Sequence, residues 1–162
     1  MRYWDLRKDM EYYRVVKFRL DNLRGDTILD VGAHDTPCVT WGNFKRRVIV
    51  DPGTVPAWKG VEHIKKPWPT MINFPVDVVL CLQVIEHISN PQVMEFTKHL
   101  FRVASILIVS VPLDWPAGTC EQQVQDPISH EKFRSVMWKR DPIWSMVVQD
   151  AGLKRLVASG EL

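Results

Sequence analysis

Thr27 to Thr36 reads TILDVGAHDT. Ile28, Leu29 and Val31 flank a single acid, Asp30, and Gly32 ends the apolar run. The pattern predicts a buried strand that stops in a sharp turn, where the missing Cβ lets a ligand approach the backbone. Thr36-Pro37 follows. Threonine is a favoured N-cap and proline is tolerated at the first helical position, so a short helix is predicted from Pro37 to about Phe44. Strand, glycine turn and helix start form the first unit of a nucleotide-type α/β fold.

Arg47 to Asp51, RVIVD, predicts a second strand that ends in an acid 19 residues after Gly32. A carboxylate at that tip can accept both ribose hydroxyls of an adenosine ligand. A dinucleotide needs G-x-G-x-x-G, because its pyrophosphate lies against bare backbone. Here the window reads GAHDTP, with His34 and Pro37 at the second and third glycine positions. That argues against NAD and FAD. The stretch resembles motif I of class I S-adenosylmethionine-dependent methyltransferases, D-x-G-x-G-x-G, with Asp30 and Gly32 retained and His34 and Thr36 standing at later glycines. The resemblance implies S-adenosylmethionine as cofactor, held by Asp30, Gly32, Ala33, His34, Asp51, Pro52, Leu82 and Gln83.

Length and composition bound the class. A chain of 162 residues predicts one domain with a core of its own. Hydrophobic content of 46% and charged content of 25% are those of a globular protein. The formal charge of +2 is too mild to argue for nucleic acid. Cys38, Cys81 and Cys120 make an odd count with no C-x-x-C. A disulfide framework is therefore not expected, and a reducing cytoplasm is. The charged N-terminus does not read as a signal peptide. No apolar run approaches the ~20 residues that span a membrane.

Taken in order, residues 5 to 23 predict one leading helix, capped by Asp5, with Leu6, Met10, Tyr13, Val16, Leu20 and Leu23 as its apolar stripe. Its basic face reads as solvated surface, or as the source of one residue, such as Arg14, for a cofactor carboxylate. The prolines from Pro52 to Pro75 exclude long helices. Val61 to Ile64 is a candidate third strand. Trp58 and Trp68 each read as structural or as cover for an adenine face. Val76 to Leu82, VDVVLCL, predicts a central strand buried on both faces. Asn90-Pro91 starts a helix striped by Val93, Phe96, Leu100 and Val103. Ser105 to Val111 is the next parallel strand. Ser129 caps a helix to about Lys139, and Trp144 to Ala158 forms a hairpin turning at Asp150-Ala151-Gly152. Residues 1–24 are thus a leading segment and 25–162 a Rossmann-like core in a single domain. The alternation gives an α/β, mostly parallel, doubly wound sheet. The resemblance implies seven strands in the order 3-2-1-4-5-7-6, closing in an antiparallel hairpin.

Ligands of such sheets sit beyond the carboxyl ends of the strands. Gln83 to His87, QVIEH, leaves the fourth strand there. LCLQVIEHISNP resembles the same segment of small-molecule methyltransferases of the ubiquinone-biosynthesis type and of small-RNA 2′-O-methyltransferases. Some of those hold a divalent metal with E-x-x-E-H and later histidines. Here Gln83 replaces the first glutamate, leaving Glu86, His87 and His130. Three readings stand: a helix-start pair that orients the loop, general-base work by His87, or a divalent metal site. Trp115 walls the acceptor pocket or packs beneath the loop. The loop from Pro112 to Asp126 is where acceptor specificity is expected.

The expected function is methyl transfer from S-adenosylmethionine to a small-molecule acceptor, by O- or N-methylation, with Glu86, His87 and His130 at the acceptor. Two alternatives remain at this stage. One is a non-catalytic or regulatory protein that binds S-adenosylmethionine or a nucleoside. The other is an RNA methyltransferase, which would need a broader basic face.

Overall fold

The computed structural model describes residues 2–116, 118–119, 124–125, 127–137 and 142–161. Among them lie α1 (Tyr3–Arg7), α2 (Glu11–Asp21), β1 (Arg24–Val31), β2 (Asn43–Val50), β3 (Val61–Ile64), β4 (Val76–Leu82), α3 (Asn90–Val103), β5 (Ala104–Pro112), α4 (His130–Met137), β6 (Trp144–Asp150) and β7 (Leu153–Glu161). The strands form one seven-stranded sheet, ordered β3-β2-β1-β4-β5-β7-β6. The first five run parallel, and β7 is antiparallel to both β5 and β6. This is the expected sheet. It includes the third strand, and β4 has the bounds read from its apolar run.

Side chains alternate between the two faces of a strand. Leu29, Val31, Val48, Val50, Val79, Cys81, Leu107 and Val109 pack against Phe96, Leu100, Phe133 and Met137 of α3 and α4. Ile28, Ile49, Val78, Leu80, Ile108 and Val157 pack on the other face, against Tyr12, Tyr13, Val16 and Leu20 of α2. Each such side chain contributes about 1.5–3 kcal/mol by leaving water. That outweighs helix propensity, so packing holds α2 in place. Both faces being covered is why the central strands read as unbroken apolar runs.

The leading segment differs from the expected single helix over residues 5 to 23. It breaks between Arg7 and Glu11, where Met10 is extended (φ −66°, ψ 139°). The cause lies far along the chain. Glu11 N–H donates to Asp150 Oδ1 at 2.6 Å, and Tyr12 N–H donates to Asp150 Oδ2 at 3.4 Å. A continuous helix would spend those amides on its own preceding turn. A carboxylate at a helix N-terminus makes stronger, charge-assisted bonds. Likewise Asp5 caps nothing. The Trp4 N–H of α1 donates to Asp35 Oδ1 at 3.0 Å, and Leu6 is 65% exposed rather than part of the apolar stripe.

The helix expected from Pro37 to Phe44 is a single 3-10 turn, Cys38–Thr40. β2 already pairs with β1 from Asn43, opposite Arg24, so the register leaves no room for more. Arg47 closes the turn by donating to the carbonyls of Val39, Trp41 and Gly42. Thr36 does not cap it; its hydroxyl donates to the Ala33 carbonyl. Asn90 is the first residue of α3, and Ser89 holds the cap position. Ser129 caps α4 as expected, its Oγ accepting Lys132 N–H at 3.1 Å. Lys139, Cys120 and Asp126 lie outside the described residues. The hairpin turns through Ala151 and Gly152, both at positive φ.

Asp150 therefore ties the last hairpin to the first long helix, and it also pairs with Arg155, Nη1 to Oδ2 at 3.5 Å. Replacing Asp150 by alanine would uncap α2 and leave the Arg155 cation buried without its carboxylate. Removing one partner of a buried pair costs about 3–5 kcal/mol. Urea denaturation of Asp150→Ala should show a loss of that order. An unfolding free energy within ~0.5 kcal/mol of wild type would show that α2 stands by packing alone.

Candidate functional site

β1 and β4 are neighbours in the sheet, and the chain winds away from them in opposite directions. Their carboxyl ends form the switch point at which such sheets bind ligands. Gly32 leaves β1 at φ +76°, and its N–H donates to the Val50 carbonyl at 2.9 Å. A Cβ on Gly32 would lie 2.7 Å from Val84 Cγ2, so the turn has room only for glycine. The neighbour that excludes a side chain is Val84, from the segment after β4. Among the described residues four that are not glycine take positive φ, each just past the carboxyl end of a strand: His34 (51°), Gln83 (55°), Asp114 (55°) and Ala151 (51°). Such conformations cost about 1–2 kcal/mol and persist where surrounding contacts over-determine them.

At His34 the determining contact is Asp51. Its Oδ2 accepts His34 N–H at 2.9 Å, and its Oδ1 accepts Gly53 N–H at 2.7 Å. His63 Nε2 donates to the Asp51 carbonyl at 2.9 Å. His63 thus helps to anchor the tip of β2. Each carboxylate oxygen of Asp51 keeps a further lone pair, so the residue can accept two hydroxyls from a ribose. Ala33 is buried, Pro52 is exposed, and Leu82 and Gln83 are half-buried at the same edge.

Asp30 is 1% exposed, and its Oδ2 has no hydrogen-bond partner in the protein. Burial, followed by the charge of Asp51, raises its pKa from 3.8 to about 8. Glu86 is also deeply buried and leaves Oε2 without a partner. Burial raises its pKa from 4.5 to about 8, against the pull of its own backbone amide and of Arg155 and Arg7. Its carbonyl accepts the N–H groups of Val124 and Gln125, and the Gln125 side chain donates to the Ile88 carbonyl. The loop after β5 is therefore fastened to the QVIEH segment. Trp58 Nε1 is the third buried group without a partner, in the loop that follows Asp51.

Glu86 and His87 share a 3-10 turn, Ile85–His87, with Oε1 and Nε2 4.0 Å apart. His130 is the exposed first residue of α4. Among the described residues no three His, Cys, Asp or Glu side chains form a group able to hold a metal ion. Glu86, His87 and His130 therefore do not form the divalent-metal site that was one of the three readings. Gln83 is committed elsewhere: its Nε2 donates to Ser110 Oγ at 3.2 Å, and its Oε1 accepts Arg155 Nε at 3.3 Å. Trp115 is buried, lies over the Arg155 guanidinium and donates to the Lys154 carbonyl. That is the packing role. Trp68 packs against the α3/α4 core and donates to the Phe96 carbonyl. Its role is structural too.

The sequence reading missed the roof of the site. Tyr3 of α1 stacks at a tilt on His34, ring centroids 5.3 Å apart. Its hydroxyl accepts Arg7 Nη1 at 2.8 Å. Burial raises the Tyr3 pKa, with Arg7, Glu86, Arg155 and Asp35 all close enough to act on it. Arg7 is thus a cation of the leading segment that acts on both Tyr3 and Glu86. Arg14 points to solvent and pairs with Glu11. Only the aromatic and basic residues before the first helical stripe signalled this, and a five-residue helix has no periodicity to read.

The two raised carboxyls set a pH dependence. Both are harder to ionise in the folded chain than in the unfolded one. Their contribution to stability is fully present below the ordinary carboxylate values and is lost as pH rises through about 8. Thermal midpoints of the protein alone should therefore fall from pH 5 to pH 9. Asp30→Asn with Glu86→Gln should flatten that slope. An equally steep fall in the double variant would assign the dependence to other groups.

No protein-family model matches the sequence, and no curated protein matches it. Solved structures do. The Burkholderia thailandensis 1,6-didemethyltoxoflavin-N1-methyltransferase, with bound 1,6-didemethyltoxoflavin and S-adenosylhomocysteine, aligns over 97% of this chain and 80% of its own, at a TM-score of 0.75 and 18% identity. The N-methyltransferase NodS of Bradyrhizobium japonicum WM9 in complex with S-adenosylhomocysteine aligns over 98% and 90%, at 0.73 and 13%. The small RNA methyltransferase HEN1 aligns over 93% of this chain and 25% of its own, at 0.73 and 15%. The chain has the Rossmann-like fold of the S-adenosylmethionine-dependent methyltransferases.

Proposed function

We propose that the protein transfers a methyl group from S-adenosylmethionine to a small-molecule acceptor. One observation carries the reading: the Gly32 turn at the switch point lies beside a carboxylate, Asp51, whose oxygens each hold one backbone amide and keep capacity for a hydroxyl. The cofactor supplies a methyl group already activated on its sulfonium. Asp51 accepts the ribose hydroxyls. Gly32, Ala33 and His34 pass the backbone beneath the methionine end, and Pro52, Leu82 and Gln83 border the nucleoside. Asp30 orients the β1 turn from below. Arg7 faces the cofactor carboxylate. The protein's own work is to align the acceptor in line with the methyl and to remove a proton where one must leave. His87 takes that proton as the bond to the acceptor's oxygen or nitrogen forms. Glu86 accepts a hydrogen bond from the acceptor through Oε2, and His130 borders the acceptor's entry. A reducing compartment, the cytoplasm, suits the buried free thiols Cys38 and Cys81.

Calorimetry with S-adenosylhomocysteine tests the cofactor half. Wild type should bind, and Asp51→Ala should bind about tenfold to a hundredfold more weakly, the cost of losing hydrogen bonds to a charged group. Equal affinities would remove Asp51 from the site.

Incubation of a cell extract with methyl-tritiated S-adenosylmethionine tests the acceptor half. Label should enter the low-molecular-weight fraction and not RNA, and label in RNA would overturn the small-molecule assignment. On the labelled acceptor, His87→Ala should lower turnover by about 10²–10⁴ while cofactor affinity stays within a few-fold. Unchanged turnover would exclude His87 as the base.

A further inference from the structure

Arg155 is 2% exposed, the third residue of β7, between the exposed Lys154 and the buried apolar run Leu156–Ala158. It stands opposite Pro112 of β5 and Val148 of β6. Its neighbour on the same face of β7, Val157, belongs to the apolar core under α2. Nothing in the packing of the sheet calls for a cation there. A buried ion pair is a poor way to gain stability, since apolar replacements of similar volume are often as stable or more so.

What the side chain does is reach across the carboxyl edge. Its guanidinium lies over Tyr12 of α2 (5.1 Å) and over Trp115 (4.8 Å). Its Nη1 meets Asp150, the cap of α2. Its Nε donates to the Gln83 side chain at 3.3 Å. Gln83 is the first residue beyond β4, at φ +55°. Its N–H donates to the Ser110 carbonyl at 2.9 Å and its side-chain amide to Ser110 Oγ at 3.2 Å. The strained residue is thus held by β5 on one side and by Arg155 on the other. The next residue, Val84, packs into the space beside Gly32 that a Cβ would need.

We propose that Arg155 is a positioning residue for the cofactor site: by holding the Gln83 side chain it keeps the chain after β4 in its left-handed turn and sets Val84 against the Gly32 turn. The proposal rests on the cofactor reading above. Arg155 acts through Gln83, and the last strand of the chain thereby shapes the mouth formed by the first and fourth. Arg155 and Gln83 then form one device, and removing either disables it.

The test is a double-mutant cycle read by S-adenosylhomocysteine affinity, with thermal unfolding of each variant in parallel. Arg155→Met and Gln83→Met should each weaken binding by about tenfold, and the double variant should bind no more weakly than the worse single. Arg155→Lys, which restores a cation with one donor head, should recover part of the loss. Wild-type affinity in either methionine variant, or losses that multiply in the double variant, would overturn the proposal. If Arg155→Met does not fold, Arg155→Lys takes its place in the cycle with Gln83→Met, because it keeps a cation beside Asp150 while removing the Nε–H that holds Gln83. Failure of wild type to bind S-adenosylhomocysteine would overturn the cofactor reading and this proposal with it. Binding by wild type with unaffected variants would overturn the proposal only.

Discussion

Backbone amides released at the carboxyl edge of the sheet must find acceptors, because a buried unpaired N–H costs about as much as a lost hydrogen bond. In this protein aspartates from other elements supply them. Asp51 at the end of β2 takes the amides of His34 and Gly53. Asp35 takes the first amide of α1, and Asp150 takes two at the start of α2. Each is charge-assisted, and all but the Gly53 bond join distant parts of the chain. They decide where α1 and α2 begin and hold both over the strand ends.

The face of the sheet beneath α2 turns polar at that edge. Asp30, Ser110 and Arg155 share the side of their strands that carries Ile28, Ile108 and Val157 further in, and all three are almost fully buried. The opposite face stays apolar to the strand ends, with Val31, Val50, Cys81 and Val111. The fold therefore concentrates its unfavourable burials in one place. The strained residues His34, Gln83, Asp114 and Ala151 lie along that edge too, as do the unpartnered oxygens of Asp30 and Glu86. Local rules broken together at a strand-end crevice are the physical mark of a site kept for a ligand.

Two of the partly exposed groups gain meaning only from this arrangement. His63 secures Asp51 through its carbonyl. Tyr3 covers His34 and lies within electrostatic reach of Glu86 and Arg155. The leading segment is therefore part of the site wall, although no residue of α1 is fully buried.

The apolar runs at Ile28–Val31, Val76–Leu82 and Ser105–Val111 determined the strands, because a strand covered on both faces reads as a nearly continuous apolar run. Gly32 and Asp51 marked the candidate site by their places at strand ends. The hairpin followed from Asp150-Ala151-Gly152, where Gly152 takes its positive φ without steric cost while Ala151 takes one at a cost. Helix ends were different. One apolar stripe over residues 5 to 23 was legible, yet its break belongs to Asp150, which is distant in sequence. The helix after Pro37 was shortened by the β1–β2 register. The grouping of Glu86, His87 and His130 could be imagined from chain order, but placement of α4 keeps the three from forming an ion-binding group. Arg155 had no signal at all, because one cation in a C-terminal strand looks like surface until the register places it opposite Pro112, under α2. Residue pattern determined the elements and the strand-end turn. Which polar atoms meet across that edge was decided by tertiary structure alone, because those partners are joined through space by the sheet order and not by any local spacing.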